Sequence, residues 1–210
     1  KEIILPATTE GFLFASKNRF LLSERFDLPP LATPENLVTA SDKWKLFDLA
    51  IQNDLPVLPS KSLTQSTIAD IRDNKSDITL PALIKSRAKV GGAGFRKVDT
   101  VEALSGYYEQ LGEKAENDYF IQPYVDSKDH SLSVYCEDGE IKCHMLCEAV
   151  LSGKNPYAIP LSIQFTQHEE VLKIGKKLLK LMNWQGVCDV DFIVDNQTGK
   201  PWLLEINARF

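Results

Sequence analysis

Gly186-Val-Cys-Asp-Val-Asp-Phe-Ile-Val194 and Pro201-Trp-Leu-Leu-Glu-Ile-Asn207, joined by Asp195-Asn-Gln-Thr-Gly-Lys200, decide the fold of this chain. Both runs are apolar and the connector is dense in turn formers, so the pattern predicts a β-hairpin. Side chains alternate along a strand. Asp189 and Asp191 therefore share one face, and Glu205, Asn207 and, if the strand continues, Arg209 share one face of the partner. A register with Asp191 opposite Glu205 also places Ile193 opposite Leu203 and matches both hairpin ends. Opposed carboxylates about 5 Å apart repel one another in an apolar setting, so this hairpin is expected to hold a cation. Carboxylates and an Asn carbonyl suit a hard divalent ion such as Mg²⁺, completed by water and phosphate oxygens, and Arg209 would face the same phosphates. The alternative is a solvated polar strand face, and the convergence of so many polar groups at one end weighs against it.

Composition sets the frame around this hairpin. The 210 residues are 43% apolar and 25% charged, as expected of a globular chain with room for one large domain or two small ones. No apolar run approaches the roughly 18 residues of a membrane span, and Lys1-Glu-Ile-Ile-Leu-Pro6 lacks a signal-peptide layout, so a cytoplasmic protein without a membrane partner is expected. A net charge of −5, from 29 acidic and 24 basic residues, argues against a general nucleic-acid surface while leaving room for small anionic ligands. The four cysteines show no zinc spacing. A two-residue turn at Asp138-Gly139 pairs Cys136 with Ile141 and Val134 with Cys143. Cys143, Met145 and Cys147 alternate with Lys142, His144 and Leu146, so they are expected on a buried strand face as reduced thiols and a thioether.

Three regions follow along the chain. Residues 1 to about 40 carry a short strand, Glu2 to Leu5, a helix over Gly11 to Leu22 and the Pro-punctuated stretch Leu28 to Pro34. They are too few for a core of their own and read as the tail of a preceding α/β unit. A helix then starts at Ser41 or Asp42 and runs to about Gln52, with Trp44, Phe47, Ala50 and Ile51 as its apolar stripe. Lys43 in its first turn is unfavourable beside the positive helix end, which points to a nearby anion or to a plain surface lysine.

The next block reads strand, loop, strand: Leu80 to Ser86, then Val90-Gly-Gly-Ala-Gly94, then Phe95 to Val98. A helix over residues 100 to 116 and a strand over Tyr119 to Val125 follow. Gly91, Gly92, Ala93 and Gly94 permit close approach of backbone N–H groups to phosphate oxygens, and Lys85 just before them enters a partly apolar site. The loop joins two strands, so neither a P-loop nor a dinucleotide fingerprint fits. The last region, from about residue 126, holds a hairpin over Ser131 to Val150, a loop around Ser152 to Pro156, a helix opened by a Thr166/Glu169 capping box with Lys173, Lys176, Lys177 and Lys180 on its wet face, and the carboxylate hairpin.

This order of features resembles the ATP-grasp superfamily, especially its carbamoyl-phosphate-synthetase-like and biotin-carboxylase-like members. The resemblance covers roughly residues 40 to 210, and its most specific element is Leu203-Leu-Glu-Ile-Asn-Ala-Arg-Phe210. It implies an α+β ATP-grasp fold in which two α+β subdomains grip a nucleotide: a glycine-loop lid subdomain over about 80–122 and a metal-carrying subdomain over about 126–210. Residues 41–210 would form the ATP-grasp domain and 1–40 the tail of a preceding α/β unit.

The resemblance also implies roles. Asp42-Lys43 and Ile84-Lys85 correspond to the family's phosphate-contacting lysines. Gln122 with the backbone around Tyr124 and Val125 would meet the adenine edge, and Asp129, or His130 if the register differs, the ribose. Asp191, Glu205 and Asn207 would hold Mg²⁺, with Mn²⁺ as a substitute, and Arg209 would steady the transferring phosphoryl group; Asp189 has no assigned role. Many members carry Glu where this chain has Gln122, and an Arg where it offers Lys154, a point charge without a bidentate fork. The implied activity is ADP-forming ligation. A carboxylate or bicarbonate attacks the γ-phosphorus of ATP, and an amine or similar nucleophile captures the acyl phosphate, with no nucleophilic side chain required. Partners would be ATP and small acid and amine substrates, with a homo-oligomer open. Two other classes stand beside this one: a non-catalytic ATP-binding or regulatory module, and a protein-interaction domain with an incidental acidic hairpin.

Overall fold

Two compact units divide the chain, one of Lys1–Val57, Ser127–Ala149 and Ile163–Phe210, the other of Leu58–Asp126 and Val150–Ser162. A computed structural model describes residues 1–87, 94–155 and 157–209. Gly91, Gly92 and Ala93 lie outside the described residues, whereas Gly94 is described and has φ of 84°.

The first unit opens with β1 (Glu2–Ile3), α1 (Thr9–Lys17), α2 (Arg19–Ser23), β2 (Phe26–Asp27), α3 (Pro34–Ser41) and α4 (Lys43–Gln52). The single helix expected over Gly11 to Leu22 is two, because Asn18 leaves helical geometry and turns both its backbone N–H and its side-chain amide back onto the Phe14 carbonyl. Asp42, rather than Ser41, caps α4 by accepting from the backbone N–H groups of Trp44 and Lys45. The buried residues of α4 are Leu46 and Ala50, while Ile51 is 55% exposed, so its apolar stripe is rotated from the expected one toward Leu46.

The second unit contains β3 (Lys61–Ser62), α5 (Gln65–Arg72), β4 (Ala82–Ser86), β5 (Arg96–Val98), α6 (Val101–Leu111), α7 (Lys114–Asp118) and β6 (Tyr119–Pro123). The helix expected over 100 to 116 breaks at Gly112, whose φ of 57° ends α6 before α7 begins. The strands form an antiparallel sheet in the order β3-β6-β4-β5. Ala82, Ile84, Val98 and Ile121 turn one face of it into a core shared with Leu63, Ile68 and Leu104. Register puts Leu83, Lys85, Lys97, Phe120 and Gln122 on the opposite face.

The chain continues as β7 (Ser127–Glu137), β8 (Glu140–Leu151), β9 (Ser162–Phe165), α8 (Glu169–Leu181), β10 (Gly186–Asp195) and β11 (Pro201–Asn207), with sheet order β11-β10-β7-β8-β9. α8 lays Val171, Ile174, Leu178 and Leu179 into a core with Leu132, Val134, Val190, Phe192, Leu203 and Ile206. Phe12, Leu31, Ala32, Leu37 and Leu46 join the same cluster. The cap of α8 is His168, whose Nδ1 accepts from the Val171 N–H at 3.4 Å, not Thr166. Lys173, Lys176, Lys177 and Lys180 are exposed, as expected.

Two bulges correct the expected registers. Asp191 does oppose Glu205, but Phe192 then pairs with Leu203 and Ile193 with Trp202, so Leu204 is the extra residue. The insertion lets Glu205 and Asn207 stay on the polar face while Leu203 and Ile206 both reach the core. Between β7 and β8, Cys136 opposes Ile141 as expected, but Lys142 is extra and Tyr135, not Val134, pairs with Cys143. The shift turns Cys143 outward and leaves Met145 46% exposed, so of that expected thiol face only Cys147 is buried. No described helix is long and apolar enough to cross a membrane.

Candidate functional site

The core face of β7 and β10 is apolar, and alternation places Ser131, Ser133, Asp189 and Asp191 on the other side. There β11 adds Glu205 and Asn207. Asp191 Oδ1 accepts from Ser131 Oγ at 2.7 Å, and Asp191 Oδ2 accepts from Asn207 Nδ2 at 2.7 Å. The same Asn207 nitrogen reaches Glu205 Oε1 at 3.3 Å, and Lys43 Nζ lies 2.6 Å from Glu205 Oε2. Asp189 is held by the Ser133 hydroxyl. One chain of contacts thus links Lys43, Glu205, Asn207, Asp191 and Ser131.

These carboxylates sit close enough to disturb one another. Burial pushes the Asp191 carboxyl up to about 7, the Ser131 hydrogen bond works against that rise, and the charges of Glu205, Asp189 and Asp129 add to it. A cation placed beside it would favour the ionised form and draw the carboxyl back down. The residues that could hold one are Asp191, Glu205 and Asn207, two carboxylates and an amide; among the described residues no three His, Cys, Asp or Glu side chains gather as a metal-holding group.

Other expected residues fall into place or out of it. Asp129 is exposed and shares the Asp191 face, opposite Ile193 on β10. His130 is turned to the other side and buried, with Nδ1 3.2 Å from the Lys128 carbonyl and Nε2 3.4 Å from Glu148 Oε2. Its ring meets that of His168 edge-on at 5.9 Å. β11 ends at Asn207, so Arg209 follows it outside the strand, half-buried. Lys154 is exposed in the segment between β8 and β9.

In the second unit, Lys85 is 6% exposed on the face opposite the core, with its ammonium 5.2 Å from the centre of the Phe95 ring. Gln122 shares that face two places along the ladder, and its Nε2 donates to Ser60 Oγ at 2.6 Å. The Tyr124 N–H donates to the Pro81 carbonyl at 2.9 Å, so of the backbone groups expected at an adenine edge this one is committed within the unit. Lys97 Nζ lies 4.2 Å from the Tyr124 ring centre.

Residues 40–210 match the ATP-grasp domain family. The chain belongs to that family. Its α+β architecture agrees with two solved structures. The biotin carboxylase domain of Hydrogenobacter thermophilus 2-oxoglutarate carboxylase superposes with a TM-score of 0.73 at 19% identity, over 96% of this chain and 46% of that one. D-alanyl-alanine synthetase A from Vibrio cholerae gives 0.73 at 15% identity, over 99% of this chain and 67% of that one. In sequence, the D-alanine--D-alanine ligase of Francisella philomiragia is 24% identical over 184 residues, 84% of this chain. The chain spans 59% of the length of that ligase.

Ser131, Ser133 and Ser60 escaped the sequence reading of this ATP-grasp chain. The first two were accessible in principle, since Ser131-Leu-Ser-Val134 alternates like its neighbour Asp189-Val-Asp191. The Lys43–Glu205 contact joins distant segments and had no local signal.

Proposed function

We propose that this chain is the nucleotide- and metal-binding part of an ADP-forming ATP-grasp ligase. It activates a carboxylate, or bicarbonate, as an acyl phosphate for capture by an amine or similar nucleophile. The observation that carries this reading is the convergence of Asp191, Glu205 and Asn207 on one strand face with Lys43 closing on Glu205. The names of the relatives support it: one is a D-alanine--D-alanine ligase, and another was solved with MgADP and bicarbonate. Residues 41–210 are proposed as the ATP-grasp domain, with the lid over about 80–122, the metal-carrying part over about 126–210 and 1–40 as the tail of a preceding α/β unit.

The donor set fits Mg²⁺ or Mn²⁺. Asp191 and Glu205 both reach the same Asn207 amide, so their oxygens converge within reach of one small ion, and a rotated Asn207 amide offers its carbonyl. A bound divalent ion would supply charge neutralisation on the phosphate oxygens. The chain's own groups do the rest. Lys43, Lys85 and Arg209 bind and orient the triphosphate, Gln122, Tyr124, Val125 and Asp129 hold the nucleoside, and the Gly91–Gly94 loop excludes water from the phosphates. Lys154 is proposed as a further catalytic cation. Positioning and electrostatics thereby lower the barrier without a covalent enzyme intermediate.

The test is a screen of acids, bicarbonate and amines for Mg·ATP-dependent phosphate and ADP release, run beside thermal unfolding with and without Mg·ATP. Turnover with one acid and amine pair is expected. Nucleotide stabilisation without ADP release on any pair would assign the chain to a non-catalytic ATP-binding role, and no stabilisation at all would overturn the reading.

A further inference from the structure

Gln122 lies on β6 with 7% of its surface exposed, and its Oε1 is buried without a hydrogen-bond partner. The Trp184 and Trp202 indole N–H groups are the other two such side-chain atoms among the described residues, and both belong to the first unit. A buried carbonyl oxygen without a donor is costly, and each such atom calls for an explanation, of which a ligand that supplies the missing donor is one. Gln122 shares its sheet face with Lys85, which makes a ligand-completed bond the natural account of this one.

The orientation of the amide is fixed by a neighbour. Ser60 Oγ donates its one proton to the Leu58 carbonyl at 3.0 Å. What remains on that oxygen is lone pairs, so towards Gln122 it accepts, and Gln122 presents Nε2 to it at 2.6 Å. With the NH₂ end committed, the carbonyl end must point the other way. An unconstrained glutamine rotates to offer either a donor or an acceptor to whatever approaches. This one offers an acceptor.

We infer that Ser60 is a positioning residue that locks Gln122 as a hydrogen-bond acceptor and so makes the site select a 6-aminopurine nucleotide over a 6-oxopurine one. The inference rests on the nucleotide-binding reading of this chain. The exocyclic amine of a 6-aminopurine donates to Gln122 Oε1, whereas a 6-oxo group sets two acceptors against each other. An ionised Glu at this position would be acceptor-only and would need no such lock, and Ser60 gives the neutral amide the same polarity.

Binding of ATP and of inosine triphosphate, both with Mg²⁺, to the whole chain is the test, read by thermal shift and by titration calorimetry. In the wild type ATP is favoured by about tenfold or more, as expected for one mismatched polar pair in a buried site. In Ser60→Ala that ratio falls several-fold, with inosine triphosphate gaining as Gln122 turns its NH₂ to the 6-oxo group. In Gln122→Glu the ATP preference persists, and adding Ser60→Ala to it leaves the ratio unchanged, because a carboxylate has no donor end to misplace. A purely structural Ser60 would weaken both nucleotides alike on both backgrounds, and that pattern overturns the inference while leaving nucleotide binding intact. A wild type that binds neither nucleotide overturns the proposed function itself, and this inference with it.

Discussion

The Lys43 ammonium sits 2.6 Å from Glu205 Oε2, with side-chain exposures of 11% and 21%. Asp42 caps α4 and so fixes the first turn from which Lys43 reaches β11. A cation at the positive end of a helix is unfavourable by itself, and the carboxylate is what offsets it. Lys43 thus serves as the counter-charge of Glu205, a nearby anion of the kind its place in the first turn pointed to.

Lys43→Met is expected to lower stability by about 1–3 kcal/mol, because it leaves a poorly solvated carboxylate without its partner. It should also weaken Mg·ATP binding about tenfold. Adding Glu205→Gln should return most of the stability and none of the nucleotide binding. Chemical denaturation of the two variants measures the first effect, and the shift in unfolding temperature on adding Mg·ATP measures the second. A stable single variant would mean the pair is incidental.

The Asp191 carboxyl sets a pH dependence with a definite sign. Its folded-state pKa of about 7 is above the ordinary carboxylate value, chiefly through burial. The native state therefore keeps a proton that the unfolded chain releases near pH 4, and unfolding becomes easier as pH rises between about 4 and about 7. The contribution is fully present below the unfolded value and lost as pH passes the folded one. Asp191→Asn mimics the protonated form and escapes this loss. Without divalent ions the two proteins should melt together near pH 4, and the variant should melt higher at pH 8. With Mg·ATP at pH 8 the order should reverse. A melting difference that ignores pH would contradict the burial of this charge.

Ser131 and Ser133 sit on the same face of β7 yet hold different partners, Asp191 and Asp189. Groups that orient a metal-binding carboxylate commonly change metal affinity about 10- to 100-fold when removed. Ser131→Ala should therefore raise the Mg²⁺ concentration needed for ATP-dependent stabilisation by about tenfold, and Ser133→Ala by much less. Equal effects would place Asp189 in the metal site beside Asp191.

The polar side of the first unit was legible because it is written in local alternation. Asp189, Asp191, Glu205 and Asn207 needed only a hairpin and a register, and the Asp191–Glu205 pairing fixed both. Failures came where one residue more or less flips a face. Leu204 and Lys142 are each the extra residue of a bulge, and nothing in their side chains marks them. The cysteines show the consequence, since Cys143 changes sides with that single insertion. Helix starts are blurred by competing caps: Asp42 is one of two candidates for α4, and at α8 His168 caps in place of Thr166, since neighbouring residues can each satisfy the first turn. Contacts between distant segments, such as Lys43 with Glu205 or Ser60 with Gln122, depend on tertiary folding and have no periodicity to read.

The strand that carries both aspartates begins at Gly186, and this position should tolerate no side chain. Its φ is +83°, and a Cβ there would lie 2.1 Å from the Pro30 carbonyl oxygen, a backbone atom that cannot swing aside. Pro30 is anchored in turn, because Leu31 and Ala32 next to it are buried in the core that also holds Cys188 and Trp184. Gly186→Ala therefore combines left-handed backbone strain with a collision and should cost about 3 kcal/mol or more. Gly199, in the turn between β10 and β11, separates the two effects: its φ is +69° and nothing lies within 4 Å of its Cβ position. Gly199→Ala should cost only about 1 kcal/mol, from strain alone. Urea unfolding of both variants gives the difference directly. If they lose stability equally, the close approach of Pro30 contributes nothing to placing Asp189 and Asp191.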